Sequence, residues 1–252
     1  MTEVLDRPRA VPALSERRPP LTRLTALEIR KSLSTRSGRI LVGTASVLPA
    51  GGATLMFALG EHPPTAPILL GVLGALVGML LVAVGVLATA AEWTHRTVQT
   101  TFLTVPQRSR VLTAKYGGMA LLGGTIAAVI VGSTFAVAAV GAGAGFTWAG
   151  AGMAAVVTIL AGAAMTVVGA GIGAAVANAP AALTGTYLVL LVGITILNGL
   201  RPDWGRNVDP LGATYELIAG SATAARPIAV LAGWVLASTV AGALLTRRRA
   251  IS

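Results

Sequence analysis

From Tyr116 to Leu200 the chain runs through 85 consecutive residues without an aspartate, glutamate, lysine or arginine. No soluble domain buries a run of that length, whereas a bilayer hydrocarbon core takes about 20 apolar residues per helix, so the run must hold several membrane crossings. Two shorter stretches follow the same rule, one between Arg39 and Glu61 and one between Glu61 and Glu92. Only 11% of the 252 residues are charged, against about 25% in an ordinary soluble protein. The fold class expected is an all-α polytopic membrane protein.

The breaks within these runs fix the number of crossings. Glu61-His62-Pro63-Pro64 separates the first two, and Glu92 to Lys115 is the one long polar interval between the early spans. Gly141-Ala142-Gly143-Ala144-Gly145 is a poor helix former, Asn178-Ala179-Pro180 reads as a turn, and Arg201 to Arg226 is polar. Six spans result, at about 40–60, 66–91, 116–140, 147–177, 182–200 and 227–245, within a transmembrane domain over 39–246. Residues 1–20 read as a disordered cytoplasmic tail, 21–38 as an interfacial helix, and 247–252 as a basic cytoplasmic tail. In the interfacial helix, Ala26, Ile29 and Leu33 fall on one side with Arg23 and Arg30 beside them, a layout that suits acyl chains and lipid phosphates. Pro49 with Gly51 and Gly52 predicts a kink in the first span. Gly71, Gly74, Gly78 and Gly85 offer a smooth stripe on the second for close helix packing. Trp148 fits an interfacial anchor.

A formal net charge of +10 raises nucleic acid as a ligand, but the positions of the cations argue against it. With both termini on one side, that side holds 16 lysines and arginines and the other holds Arg201, Arg206 and Arg226 alone, which places both termini in the cytoplasm. The chain is therefore expected in the plasma (inner) membrane. Cysteine is absent, which excludes thiol catalysis and disulfides. The first 39 residues contain no apolar core of the kind a secretory signal requires.

Several chemistries lack their residues. Neither Lys31 nor Lys115 follows a phosphate-binding glycine loop, His62 and His95 lie at opposite ends of the second span, and no nucleophile elbow occurs. No catalytic residue, cofactor site or metal site is expected in this chain, and it is not read as an enzyme. Gly169-Ala170-Gly171-Ile172-Gly173 imitates part of a dinucleotide fingerprint, but it lies in an uncharged span and has the small-xxx-small spacing of helix packing. The predicted spans hold no Asp, Glu, Lys or Arg, and no buried charge is expected, which counts against an ion-coupled carrier.

The interval EWTHRTVQTTFLTVPQRSRVLTAK, Glu92 to Lys115, is the most specific feature. Its mix of apolar and polar side chains suits a short, stiff element seated in a groove of a partner protein, held by an anchor and oriented by polar contacts. Trp93, Val98, Phe102 and Leu103 are suited to anchor such an element, Glu92, Arg96, Gln99 and Arg108 to orient it, and Pro106 to end it.

Glu92, Trp93, Thr97, Pro106, Arg108 and Lys115 resemble the loop after the second span in permease subunits of type-2 ABC exporters, where an acidic-aromatic pair precedes Thr, a short coupling helix, Pro-x-Arg and a Lys. Arg96 stands where Gly often precedes the Thr in that class. The six-span layout and Asp209-Pro210-Leu211-Gly212, read as the cap of a short outer helix, are similar as well. The resemblance implies a membrane subunit that exports a hydrophobic or amphiphilic substrate such as a drug or lipid. It implies a coupling role for Glu92, Trp93, Arg96, Thr97, Phe102, Pro106 and Arg108. The partners it implies are two soluble ABC ATPase subunits carrying ATP and Mg, a second permease, identical or not, and membrane lipids. An ion-coupled secondary transporter and a non-transporting membrane anchor or assembly subunit stand as alternatives.

Overall fold

A computed structural model describes residues 20–61, 63–94, 107–220 and 223–249. Among these the backbone is almost entirely helical, and six helices are long and apolar enough to cross a membrane. In chain order the elements are α1 (Leu21–Ser34), α2 (Arg36–Ala58), α3 (Ala66–Thr94), α4 (Arg108–Gly141) and α5 (Ala151–Val176). They continue with α6 (Ala179–Leu200), the short α7 (Pro202–Arg206), α8 (Pro210–Ala219) and α9 (Ala225–Arg248).

The bundle is built around α3 and α5, whose backbones approach along glycines. A Cβ added at Gly85 would stand 2.0 Å from the Thr166 carbonyl oxygen, and one at Gly169 would stand 2.0 Å from that of Val82. The stripe on α3 is thus a packing seam: Gly71 and Gly74 meet Tyr215 and Ile218 of α8, Gly78 meets Met165, and Gly85 meets the α5 backbone. Gly169, Gly171 and Gly173 serve the same purpose on α5, facing α3 and Ser238 of α9, where a close backbone approach needs residues without side chains. The dinucleotide-like motif is therefore filled by neighbouring helices.

Around this pair, α4 packs on α5, α2 lies against α4 and α3 through Ala45, Pro49 and Ala53, and α9 covers another side of α5. α2 runs unbroken through Pro49. α6 lies along α3, where the Tyr187 hydroxyl donates to the Met79 carbonyl at 2.9 Å. Its middle widens into π-helical turns at Leu188–Gly193, a departure no residue of that segment announces. Leu188, Val189, Leu191 and Val192 face outward there.

Helix ends differ from the charge-free runs for a simple reason. A run is bounded by its first charge, whereas a helix continues while its hydrogen bonds and packing are satisfied. α3 extends through Glu92 to Thr94, α4 begins at Arg108, and α9 carries Arg247 and Arg248 in its last turn, where cations favour the helix dipole. The basic tail expected from 247 thus begins as helix. The N-terminal helix, expected to reach residue 38, stops at Ser34. Thr35 is extended and caps α2, its hydroxyl accepting from the Gly38 amide at 3.0 Å.

The polar segment after α6 folds as anticipated, with one carboxylate oxygen of Asp209 accepting from the amides of Leu211 and Gly212, each at 2.9 Å. Pro210 sits in the first turn of α8, where its missing N–H costs nothing. Glu216 of α8 pairs with Arg226 at the start of α9. The connection between α4 and α5 opens at Gly141, and Trp148 in it stacks edge-on against Phe135 and Phe146 while remaining partly exposed. This connection pairs with that between α2 and α3: Ala66 donates to Thr147, and Thr147 to Pro64, each at 3.0 Å. Both therefore lie at one end of the bundle, while α1, the α3–α4 stems, the α5–α6 turn and Arg249 gather at the other.

Candidate functional site

The two residues that bracket the polar interval, Glu92 and Lys115, meet each other. The Lys115 ammonium is 3.0 Å from a Glu92 carboxylate oxygen and also pairs with Glu28 of α1. Lys31, one turn on from Glu28, sits 3.0 Å from Glu28 and 3.3 Å from Glu92. Two carboxylates and two ammonium groups thus alternate around a square contributed by α1, the last turn of α3 and the second turn of α4.

Local sequence makes the square. Gly117 and Gly118 on α4 leave room for α1, and a Cβ at Gly118 would come within 3.2 Å of the Glu28 Cβ and the Thr25 carbonyl oxygen. Lys115, one turn earlier, is then level with Glu28. Burial is deep on the inner corners, with side-chain exposures of 4% for Lys115 and 7% for Glu28, and shallow at Lys31, which keeps 46%.

The electrostatics follow from that gradient. Burial alone pushes the Glu28 carboxyl up, yet Lys115 and then Lys31 outweigh it and hold the group below the usual glutamate value. Partial burial pulls Lys31 down, but Glu92 and Glu28 more than compensate, leaving its ammonium above the usual lysine value. Two carboxylates thus face two amines at ion-pair distance around the square. Removing one would strand a buried charge, whereas the complete set is close to neutral in its net effect on stability. The sequence expectation of no buried charge fails at this point. Lys115 and Glu92 lie on helical extensions of α4 and α3, and Glu28 arrives from outside the spans.

Trp93 and Thr94 are tied as well. The Arg249 guanidinium lies 5.0 Å from the Trp93 ring centre, and it donates to the carbonyls of Ala174, at 2.7 Å, and Ala175. These carbonyls belong to the last turn of α5, where a helix leaves acceptors unfilled. The chain then turns through Ala177 in the left-handed region, φ 56°. The Thr94 hydroxyl accepts from the Ala179 amide at 3.1 Å, and Asn178 caps α6 by accepting from Ala181 at 2.9 Å. Three consecutive residues therefore hold four partners: Glu92 the lysines of α1 and α4, Trp93 the residue following α9, and Thr94 the start of α6.

Of the candidates read from the sequence, Glu92 and Trp93 fall in this site. Arg108 opens α4, and Arg96, Thr97, Phe102 and Pro106 lie outside the described residues. Glu28, Lys31 and Arg249 were missed as site residues. A usable signal existed for the first two: Glu28 is the one acid of a basic helix, and Lys31 and Lys115 are the only lysines in a chain otherwise supplied with arginine. Searches with this sequence find no matching family model and no matching curated protein.

Proposed function

We propose that this chain is the membrane subunit of an ATP-driven exporter of the type-2 ABC kind, worked through the polar interval by ATPase subunits on separate chains. The observation that carries the reading is the charge square. A segment that receives a push transmits it only if its stems are stiff, and both stems are fixed to each other by Glu92 and Lys115 and to α1 by Glu28 and Lys31. Force applied between Trp93 and Arg108 would pass into α3 and α4 together and drag α1 with them. Trp93 and Thr94 extend the same coupling to the end of α5 and the beginning of α6. The six-span layout and the residues shared with the exporter loop support the same reading.

In this reading two ATPase subunits hold ATP and Mg, and two permease chains flank the path. The chain sits in the plasma membrane, and the distribution of basic residues supports a cytoplasmic α1 end. Cargo is hydrophobic or amphiphilic, since the long middle sections of the spans carry no charge with which to bind a highly charged solute.

The test is purification from the native membrane, followed by reconstitution. A soluble P-loop ATPase should co-purify, and transport should require ATP. The double variant Trp93→Ala, Phe102→Ala should release the ATPase or leave hydrolysis running without transport while the subunit still inserts. Unaltered transport in that variant would refute the coupling role. Ion-gradient-driven uptake by the isolated subunit would replace the proposal with a secondary carrier.

A further inference from the structure

We infer that α1 and the first turn of α2 form a docking surface for anionic phospholipid headgroups, one that does not depend on what the protein transports. The argument starts from how α1 divides its residues. Thr25, Glu28, Ile29 and Ser32 turn toward the bundle, and Ile29 packs on the core cluster. Of the stripe expected to enter lipid, only Ile29 is drawn inward, while Ala26 and Leu33 stay exposed.

The outward face carries Arg23, Leu27 and Arg30 at spacings of four and three, which stack along one side of a helix, and all three are exposed. Arg36 and Arg39, also exposed, follow across the Thr35 break. None of these four guanidinium groups has a hydrogen bond or ion pair among the described residues. The acid of α1 is unavailable to them, because Glu28 points inward and is held by Lys31 and Lys115. Cations in this part of the chain are thus sorted by type: both lysines close the internal square, and the arginines face out.

Charge and position together select the occupant. Among the described residues the four guanidinium groups are uncompensated, with Leu27 between Arg23 and Arg30 and Leu33 one turn on from Arg30, both exposed. A planar guanidinium matches phosphate oxygens in pairs, while exposed leucines beside it suit the boundary between headgroups and acyl chains. α1 also ends one residue before the helix of the first span, whose Ile40 is 69% exposed, so chain continuity holds this face at the headgroup layer. An anionic leaflet is the one surface that supplies phosphate and hydrocarbon together at that depth.

The experiment uses the full chain reconstituted in phosphatidylcholine vesicles containing a trace of spin-labelled phosphatidylglycerol or spin-labelled phosphatidylcholine, with the motionally restricted lipid read by electron spin resonance. The unmodified protein should select phosphatidylglycerol by about fivefold or more, the effect of roughly one arginine at an anionic surface. Raising the salt should weaken the selection. Changing Arg23, Arg30, Arg36 and Arg39 together to Gln should bring selection close to parity, and Arg23→Gln with Arg30→Gln should lower it partway if the fourfold variant fails to fold. Arg201→Gln with Arg206→Gln should leave it intact. Equal restriction of both lipids by the unmodified protein would overturn the inference, as would full selectivity in the folded arginine variants. Loss of selection on adding millimolar inorganic phosphate at constant ionic strength would reassign the surface to a free anion. Capture of polyglutamate in place of lipid selectivity would reassign it to an acidic protein.

Discussion

Lys115 holds Glu92 at 3.0 Å, so the last turn of the second long helix and the second turn of the third share an ion pair. Lys115→Met should therefore leave two carboxylates facing one lysine in a buried site. A loss of about 3–5 kcal/mol follows from stranding buried charge, read as a lowered thermal unfolding midpoint in detergent. Changing Glu28→Gln and Lys115→Met together should cost less than the two single changes added, because the partners leave together.

The pH response follows from the directions of the shifts. Glu28 titrates lower in the folded protein, so its contribution is present above the usual value of 4.5 and fades as the pH falls through the lower folded value. Lys31 titrates higher than its usual 10.5; its contribution is complete below that value and is lost as the pH rises through the higher folded one. Unfolding midpoints should thus drop on the acid side, and Glu28→Gln should flatten that limb. The alkaline limb should be the shallower, since Lys31 is nearly half exposed and solvent screens it.

Helix packing gives a prediction with its own control. Gly85→Ala would push a methyl group against the Thr166 carbonyl and the Ala170 amide, forcing α3 and α5 apart. Overpacking of this kind costs about 1–3 kcal/mol or more. The matching change at Gly132, where an added Cβ meets nothing within 4 Å, should be neutral or slightly stabilising in a helix. Equal midpoints for both variants would contradict the seam.

How far the sequence discloses this architecture depends on what each feature requires. Spans are legible because a bilayer imposes the same demand along their whole length, and 85 uncharged residues meet it. Asp209 before Pro210 is legible because a cap is satisfied within a few residues. Glu28 is different. Its burial depends on Gly118, 90 positions away, admitting the flank of α1, and its ion pair depends on Lys115, 87 positions away. The π-helical turns at Leu188–Gly193 lie in a plain apolar run, where helical periodicity carries no mark of the extra width. Arg249 reads as one of three terminal cations, and only the fold aims it at Ala174 and Trp93.

That contact makes its own prediction. Arg249→Ala should uncover two carbonyls and remove a cation from the Trp93 face, costing about 2 kcal/mol and shifting the intrinsic fluorescence of the protein. Arg249→Lys should recover only part of the loss, since an ammonium cannot span both carbonyls as a planar fork does. A neighbouring change, Arg248→Ala, serves as the comparison and should leave the fluorescence unaltered.

The same arginine sets an order of events during biosynthesis. Ala174 leaves the ribosome 75 residues ahead of the guanidinium that covers its carbonyl, and Trp93 leaves earlier still. Until Arg249 is made and α9 is in place, the end of α5 and the root of the polar interval stay unfinished. A nascent chain halted short of this residue would thus hold its helices in lipid yet lack the clasp that joins them at this end.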